Sequence, residues 1–316
     1  EQTLDIHLIK KIQLSKFKYF SLVLKKLLST RPNNFFKVNK FISLQNLEYF
    51  ETAEEICKIV FALEKKWKLK KFYSLDAYNS LCQETMLEQL YLKKNGTYRA
   101  IRNKIDNINL YKSSKKMKSY LLGLMLTQIF WQSHYKILKF YKKNIKIKKE
   151  VKFLEIGSGH GLLSKYLMDN NLKSFGVICD ISKQSLSLVK NILKNSKNMN
   201  KIKFINQDFF KLNEKSKFDF IIMGEVIEHV KNPKTFLKKA INLLQKDGKI
   251  FLSTCANCAQ VDHIFHFKNI YEIQKLIKSS KLKIKSELIT PSENIPRKKW
   301  KAEKIAINYC SILVKK

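Results

Sequence analysis

From residue 151 onward the apolar positions fall in short alternating runs separated by longer stretches of helical periodicity. The alternation predicts strands at 151–156, 174–179, 202–206, 218–223 and 249–254, with helices between them at 160–170, 182–195, 233–245 and 268–279. Strand–helix alternation of this kind buries both faces of a parallel sheet under helices. Two further strands, 281–289 and 306–316, have no helix between them and are expected to pair antiparallel at the sheet edge. The expected fold is α/β, a seven-stranded doubly wound Rossmann-like sheet with an antiparallel C-terminal hairpin. Ligands of such sheets bind at the carboxyl ends of the strands.

The first 150 residues have a different pattern. In 47–69, Phe50, Ile56, Val60, Leu63 and Trp67 recur at three- and four-residue steps, which is helix spacing. A second long helical pattern covers 113–143, with serine as its start signal. Six of the eight glycines lie between Gly157 and Gly248, so the glycine-poor N-terminal half reads as an all-helical domain. The expected organisation is a helical cap or substrate domain over 1–145 and the sheet domain over 146–316. Basic stretches such as 142–150 read as solvated linkers, and no internal repeat is visible.

Composition narrows the class. With 45% apolar and 12% aromatic residues the chain can bury a sizeable core, which excludes disorder. Six cysteines in 316 residues do not make a disulfide scaffold, so a reduced, cytoplasmic setting is expected. The most apolar run, 120–131, is too short to span a bilayer, and no secretory signal is visible. The chain opens on Glu1 and not methionine, so residues upstream are expected to be missing. A net charge of +36 would attract nucleic acid or acidic surfaces. The lysines, however, are spread along the whole chain among many Asn and Ile, and arginine is scarce. That distribution reads as coding bias more than as a clustered nucleic-acid footprint.

Candidate chemistry begins at "VKFLEIGSGHGLLSKYL", residues 151–167, a strand, a glycine turn and a helix. The turn lacks the Lys-Ser/Thr of a P-loop, and its G-x-G-x-G places Leu162 where a dinucleotide fingerprint has its third glycine. Glu155, just before the turn, suits a cationic ligand better than a pyrophosphate. "LEIGSGHG", "CDIS", "NQDFF" and "GEVIEHVKNP", in that order and spacing, resemble the class I S-adenosylmethionine-dependent methyltransferases. The resemblance covers roughly 130–290 and is strongest in its core motifs to ubiquinone-pathway O-methyltransferases. It implies S-adenosylmethionine as cofactor, its methionine end held by Glu155 and by the backbone of Gly157, Ser158, Gly159 and Gly161. It also implies that Asp180 accepts the ribose hydroxyls beside Ile181, and that Asp208 takes the adenine amino group with Phe209 or Phe210 against the ring. Glu225 completes the implied cofactor set. Each acid has a plainer local reading: Asp180 as a helix cap and Asp208 as a turn residue.

At the reactive end, Glu225, Glu228 and His229 share one face of a helical turn. "CANCAQVDHIFHF" after the fifth strand adds Asp262, His263 and His266. Three readings stay open. Glu225, Glu228, His229 and His263 could hold a divalent metal, a pattern shared with the ubiquinone-pathway enzymes and the small-RNA 2′-O-methyltransferases. His229 or His263 could act as a metal-free general base with Glu228 beside it. Or the segment is structural. Cys255-x-x-Cys258-x4-His263-x2-His266 also carries zinc-type ligands. His7, His134 and His160 read as packing or surface residues, with His160 near the cofactor, while Trp131 and Tyr135 could line a lid. The expected function is methyl transfer to a small-molecule acceptor, in small-molecule metabolism. The alternatives are RNA methylation, use of another arm of the cofactor, and cofactor binding without turnover. Oligomeric state is unread.

Overall fold

The computed structural model describes residues 15–104, 111, 113–147, 149–293 and 295–316; His7 lies outside them. The chain divides into two compact units, Glu1–Gln83 with Lys118–Tyr135, and Glu84–Met117 with Lys136–Lys316.

The first unit is helical: α1 (Lys18–Thr30), α2 (Pro32–Ser43), α3 (Leu47–Lys66), the start of α4 (Tyr73–Asn95), and parts of two later helices. Asn46 caps α3 by accepting from the Tyr49 N–H, with Glu48 in the first turn and Lys65 and Lys66 in the last, as the helix dipole favours. The buried face of α3 includes Tyr49, Ile56, Cys57, Val60 and Leu63. Two carboxylates on the same helix are also buried. Glu54 accepts from the N–H groups of Tyr19 and Phe20 at 3.2 and 2.8 Å, closing the start of α1. Glu64 accepts from Phe72, Ser74 and the Ser74 hydroxyl, closing the start of α4. Such caps explain how acids sit in an apolar bundle: each satisfies orphan donors of a helix end.

A single helix was the expectation for 113–143. The backbone instead breaks at Trp131, between α6 (Ser114–Phe130) and α7 (Gln132–Asn144), although the Tyr135 N–H still reaches the Trp131 carbonyl at 3.0 Å. Thr127 donates to the Leu124 carbonyl, and its hydroxyl lies 2.8 Å from His134 Nδ1, a side-chain intrusion of the kind that bends helices. Short α5 (Arg99–Arg102) precedes this pair.

The second unit holds the sheet. Its elements are β1 (Lys152–Ile156), α8 (Leu162–Asn170), β2 (Phe175–Asp180), α9 (Lys183–Leu193), β3 (Ile202–Asn206), β4 (Phe218–Gly224), α10 (Pro233–Leu243), β5 (Leu244–Ala256), α11 (Ile270–Ser279), β6 (Leu282–Pro291) and β7 (Ile307–Lys315). The strand order is β3-β2-β1-β4-β5-β7-β6, with β1 to β5 parallel and β7 antiparallel to both β5 and β6. All seven predicted strands are present. The last pair differs in detail from a simple edge hairpin, because β7 inserts between β5 and β6. β5 also begins directly where α10 ends, five residues earlier than the alternation suggested. Residues 246–248 there are polar and carry no apolar alternation to read.

One face of the sheet buries Leu154, Val177, Ile221, Met223 and Leu252 with Phe236, Leu237 and Ala240 of α10 and Ile273 and Ile277 of α11. The other face buries Phe220 and Phe251, and Tyr141 of α7 lies against the latter at 4.7 Å. Gly176 is required by close approach: a Cβ there would stand 1.9 Å from the Phe153 carbonyl oxygen of β1. Since β2 and β4 leave β1 on opposite sides, the chain reverses direction across the sheet between β1 and β4. That is where the carboxyl strand ends open a ligand crevice.

Candidate active site

Two groups of residues stand at that crevice, one following β1 to β3 and one following β4 and β5. At the first, Gly157, Gly159 and Gly161 all have positive φ, at 71°, 48° and 72°. A Cβ on Gly159 would meet nothing within 4 Å, whereas one on Gly161 would meet Val189 at 2.8 Å. The turn is therefore packed on one side and open at its middle. Asp180 ties it down. Its Oδ2 accepts from the Ser158 N–H at 2.8 Å, the Ser158 hydroxyl at 3.1 Å and the Gly159 N–H at 3.3 Å, and its Oδ1 accepts from Ser182 N–H at 2.7 Å. Burial raises the Asp180 pKa against the opposing pull of these donors. Oδ1 keeps acceptor capacity beyond its single bond.

Glu155 is buried and accepts from the Ser164 hydroxyl on α8, so it fastens the strand–turn–helix joint; desolvation lifts its pKa to about 8. His160 accepts the Leu162 N–H on Nδ1, and burial lowers its pKa to about 4, which keeps it neutral. Asp208 is exposed and accepts from the Phe210 N–H at 2.8 Å. Of the two phenylalanines after it, Phe209 turns into the core against Phe236 at 4.8 Å, while Phe210 is 41% exposed. Ile181 is exposed as well. Open apolar faces beside two carboxylates, next to a turn with free space at Gly159, fit a nucleoside-bearing cofactor.

The second group is more deeply buried. β4 ends at Gly224 and pairs with Ser253 of β5, so the segments that follow them leave side by side. Glu225 takes φ +50°, rare for a side chain of this kind, and its N–H donates to the Ser253 carbonyl and hydroxyl at 3.0 and 3.1 Å. Glu228 is 1% exposed. Its Oε2 accepts from the Thr254 hydroxyl at 2.8 Å, and its carbonyl accepts from the Ile264 and Phe265 N–H groups at 3.0 and 2.9 Å. That carbonyl staples the two loops together. Burial raises the pKa of both acids, and for Glu228 the neighbouring Glu225 adds to it. Oε1 of each is buried without a hydrogen-bond partner among the described residues.

His229 Nδ1 lies 3.0 Å from the Asp262 carbonyl and 3.4 Å from its Oδ2, and the Tyr111 hydroxyl donates to that Oδ2 at 3.1 Å. His263 stands edge-on to His229 at 4.7 Å, and its Nδ1 lies 2.7 Å from the Cys258 carbonyl. Burial, then the nearby His229, lowers the His263 pKa to about 3. His266 is bound to Asn257 Oδ1 at 2.8 Å and stacked on Tyr98 at 4.2 Å, so the four-ligand Cys/Cys/His/His pattern is not assembled as such.

Donor atoms that could share a cation fall into two groups, Glu228–Cys255–His263 and His229–Asp262–His263, each with all atoms within 4.8 Å. Glu225 belongs to neither, although Glu228, His229 and His263 of the expected set do. The orphaned Glu228 oxygen, with imidazole and carboxylate donors around it, fits a divalent ion.

Sequence reasoning missed what holds these loops. Gln89 of α4 accepts from the Ala259 N–H and donates to the Lys304 carbonyl, Gln260 donates to Thr85 at 2.9 Å, and Leu92, Tyr98 and Ala259 form a small apolar cluster. Tyr111, Thr254 and Tyr98 carried no motif, and only spatial proximity reveals them. His134, Trp131 and Tyr135 lie in the helical unit, where Trp131 meets His134 at 4.8 Å and Tyr135 meets Tyr49 at 4.9 Å.

A family profile described as a methyltransferase domain matches residues 147–303. The ubiquinone biosynthesis O-methyltransferase of Pelagibacter ubique is 34% identical over 106 residues, covering 34% of this chain and 42% of that protein. The protein of the same name from Glaesserella parasuis is 29% identical, covering 42% of this chain and 61% of its own length. The alignments thus span about half the length of these relatives. Among solved structures, the mitomycin 7-O-methyltransferase superposes with a TM-score of 0.52 at 10% identity, over 74% of this chain and 68% of that one, a likeness of fold. With four motifs at successive strand ends of a seven-stranded sheet, residues 147–303 are a class I S-adenosylmethionine-dependent methyltransferase domain.

Proposed function

We propose that the chain methylates a hydroxyl group of a small-molecule acceptor. The observation that carries this reading is the His229–Asp262 pair beside the cofactor edge. With the His229 proton on Nδ1, that N–H donates to the Asp262 carbonyl, and Nε2 is left as the acceptor of a proton. S-adenosylmethionine supplies the electrophilic methyl group; transfer breaks its carbon–sulfur bond and forms the oxygen–carbon bond. Nε2 of His229 takes the hydroxyl proton as this happens, and Asp262, fixed by Tyr111, holds the ring in orientation. Asp180, Phe210 and Ile181 hold the nucleoside, with Asp208 at the adenine and the glycine backbone at the methionine end. Burial of the reactive edge excludes water, which strengthens these electrostatic interactions.

A divalent ion held at the Glu228–Cys255–His263 group would supply a lowered pKa at the acceptor hydroxyl. The hydroxyl acceptor is supported by the relatives' names, and the small-molecule class by those names together with the scatter of charge along the chain. Residues 1–145 are assigned, in the same proposal, to acceptor selection. Among the described residues no helix is long and apolar enough to cross a membrane. The six unpaired cysteines suit a reducing compartment, and on that ground we propose a cytoplasmic location.

Incubation with cofactor carrying a labelled methyl group, alongside a small-metabolite extract and total RNA in separate arms, tests the proposal. Label is expected in the metabolite fraction, in a bond that survives mild alkali as an ether does. Label in RNA, or in neither fraction, overturns it.

A further inference from the structure

The reactive edge carries two thiols, those of Cys255 and Cys258, whose pairing methyl transfer does not use. Cys255 lies near the end of β5 and is 1% exposed, while Cys258 is partly open to solvent. All six cysteines are free, and only Cys82 shares the partial exposure of Cys258. Asn257, between the pair, takes φ +51°, a left-handed conformation that asparagine tolerates. The chain turns there, and the Cys255 thiol is hydrogen-bonded to the Cys258 sulfur. We propose that Cys255 and Cys258 close into a reversible disulfide that shuts the reactive edge when a peroxide is present. The shut-off rests on the reading of this edge as the reacting end; the disulfide itself does not.

Exposure divides the work between the two thiols. Cys258, the accessible one, attacks an oxygen of hydrogen peroxide as its thiolate. The O–O bond breaks, hydroxide leaves, and the sulfur is oxidised to a sulfenic acid. Cys255, shielded from peroxide by burial, serves as the resolving thiol. Its sulfur attacks that of Cys258, the S–O bond breaks, and the oxygen departs as water with the Cys255 proton. Two thiols and one peroxide thus give one disulfide and two waters. Sulfurs already in hydrogen-bonding contact need only side-chain rotation to approach a bond length of about 2 Å. Cys310 is a further sulfur on this side of β5, two positions along β7 from Asn308, the residue opposite Cys255. It is buried, so a Cys255–Cys310 pair offers peroxide no exposed thiol from which to start. In a reducing compartment a disulfide of this kind is a transient sensor and not a structural bond.

The bond acts on the reactive edge through the Cys258 peptide. Its carbonyl lies 2.7 Å from His263 Nδ1, and the His263 ring stands edge-on to His229 at 4.7 Å. The chain is fixed on both sides of Cys258. The Asn257 N–H donates to the Phe267 carbonyl, its side-chain amide donates to the Lys268 carbonyl, both at 2.9 Å, and the Ala259 N–H donates to Gln89 at 3.2 Å. With both neighbours anchored, the pull of a Cys255–Cys258 bond falls on the Cys258 peptide, and its carbonyl rotates away from His263. The freed imidazole turns, and the proposed base loses the ring that packs against it. The holding edge after β1 and β2 has no part in this loop, so cofactor binding is spared.

The full chain, reduced and treated with a chelator, is exposed to a small excess of hydrogen peroxide, and intact and peptide masses are read without reductant. The expected result is the loss of two hydrogen atoms in a bridge from Cys255 to Cys258, reversed by dithiothreitol. In the same samples methyl transfer falls at least about tenfold, as misplacement of a catalytic group does. The nitrogen NMR signal of the His263 Nδ1–H tautomer shifts, and S-adenosylhomocysteine binds as before. Cys258→Ser forms no bridge and keeps its transfer rate in peroxide. Cys255→Ser stops at a sulfenic acid on Cys258, which dimedone traps. Circular dichroism checks that each variant is folded, and Cys258→Ser, at the more exposed position, decides the matter if Cys255→Ser is not. No bridge, a bridge from Cys255 to Cys310, a bridged chain that transfers methyl as fast as the reduced one, or loss of S-adenosylhomocysteine binding on bridging overturns the proposal. A Cys255–Cys258 bridge that shifts the His263 signal in a chain with no methyl transfer even when reduced sinks only the methyl-transfer reading.

Discussion

The two halves of the crevice solve the burial of acids in opposite ways. After β1 and β2, Asp180 is surrounded by N–H and hydroxyl donors, and every bond it makes also shapes the glycine turn. After β4 and β5, Glu228 is as deeply placed and Glu225 half-buried; the two carboxyls interact with each other, each keeps an oxygen with no other hydrogen-bond partner among the described residues, and Glu225 sits on a left-handed backbone. Unsatisfied buried polar atoms and non-glycine residues at positive φ both cost free energy, and they persist where function requires them. The contrast agrees with the proposed division between a holding edge, pre-shaped by its own hydrogen bonds, and a reacting edge whose acids are less fully satisfied.

Three substitutions probe that division, from the largest expected effect to the smallest. Replacing His229 with alanine removes the proposed base, and kcat should fall roughly 10²- to 10⁴-fold while S-adenosylhomocysteine binds as before. A matched loss of cofactor affinity would mean that the two edges are not separate. Asp180→Ala should weaken S-adenosylhomocysteine by about a hundredfold in calorimetry, since it removes the proposed ribose acceptor and frees the turn at Ser158 and Gly159 together. Unchanged affinity would show that the holding edge has been misidentified.

The third variant tests stability. Glu155 has a folded pKa raised from 4.5 to about 8, so the folded state resists its ionisation. A raised carboxyl contributes stability that is complete below pH 4.5 and is lost as pH climbs toward about 8. Thermal melts of the wild type should therefore lose several degrees more than Glu155→Gln across that window. Parallel curves for the two proteins would place the charge of Glu155 elsewhere in the balance.

Local pattern was enough for much of this molecule. Period-two alternation marks the seven strands because each must bury alternate side chains, and the glycine turn is visible because only glycine tolerates three positive φ values so close together. The same periodicity misjudged 113–143, where nothing in the spacing of apolar residues signals the bend at Trp131. The resemblance left Phe209 and Phe210 as equal candidates for the adenine, because two adjacent aromatics after a strand look alike until burial takes Phe209 into the core and leaves Phe210 exposed.

By itself, then, the sequence determined the strand order in the chain, the sheet class and the acids at the strand ends, since these rest on short-range periodicity and motif spacing. Only the tertiary structure decided that β7 enters between β5 and β6, that Tyr111 reaches Asp262, and that Cys255 stands with Glu228 and His263. The Tyr111–Asp262 contact alone spans 151 positions of chain. No local propensity carries such information. It comes from which loops parallel strands deliver to the same edge, and from which side chains remain unsatisfied once the core has closed.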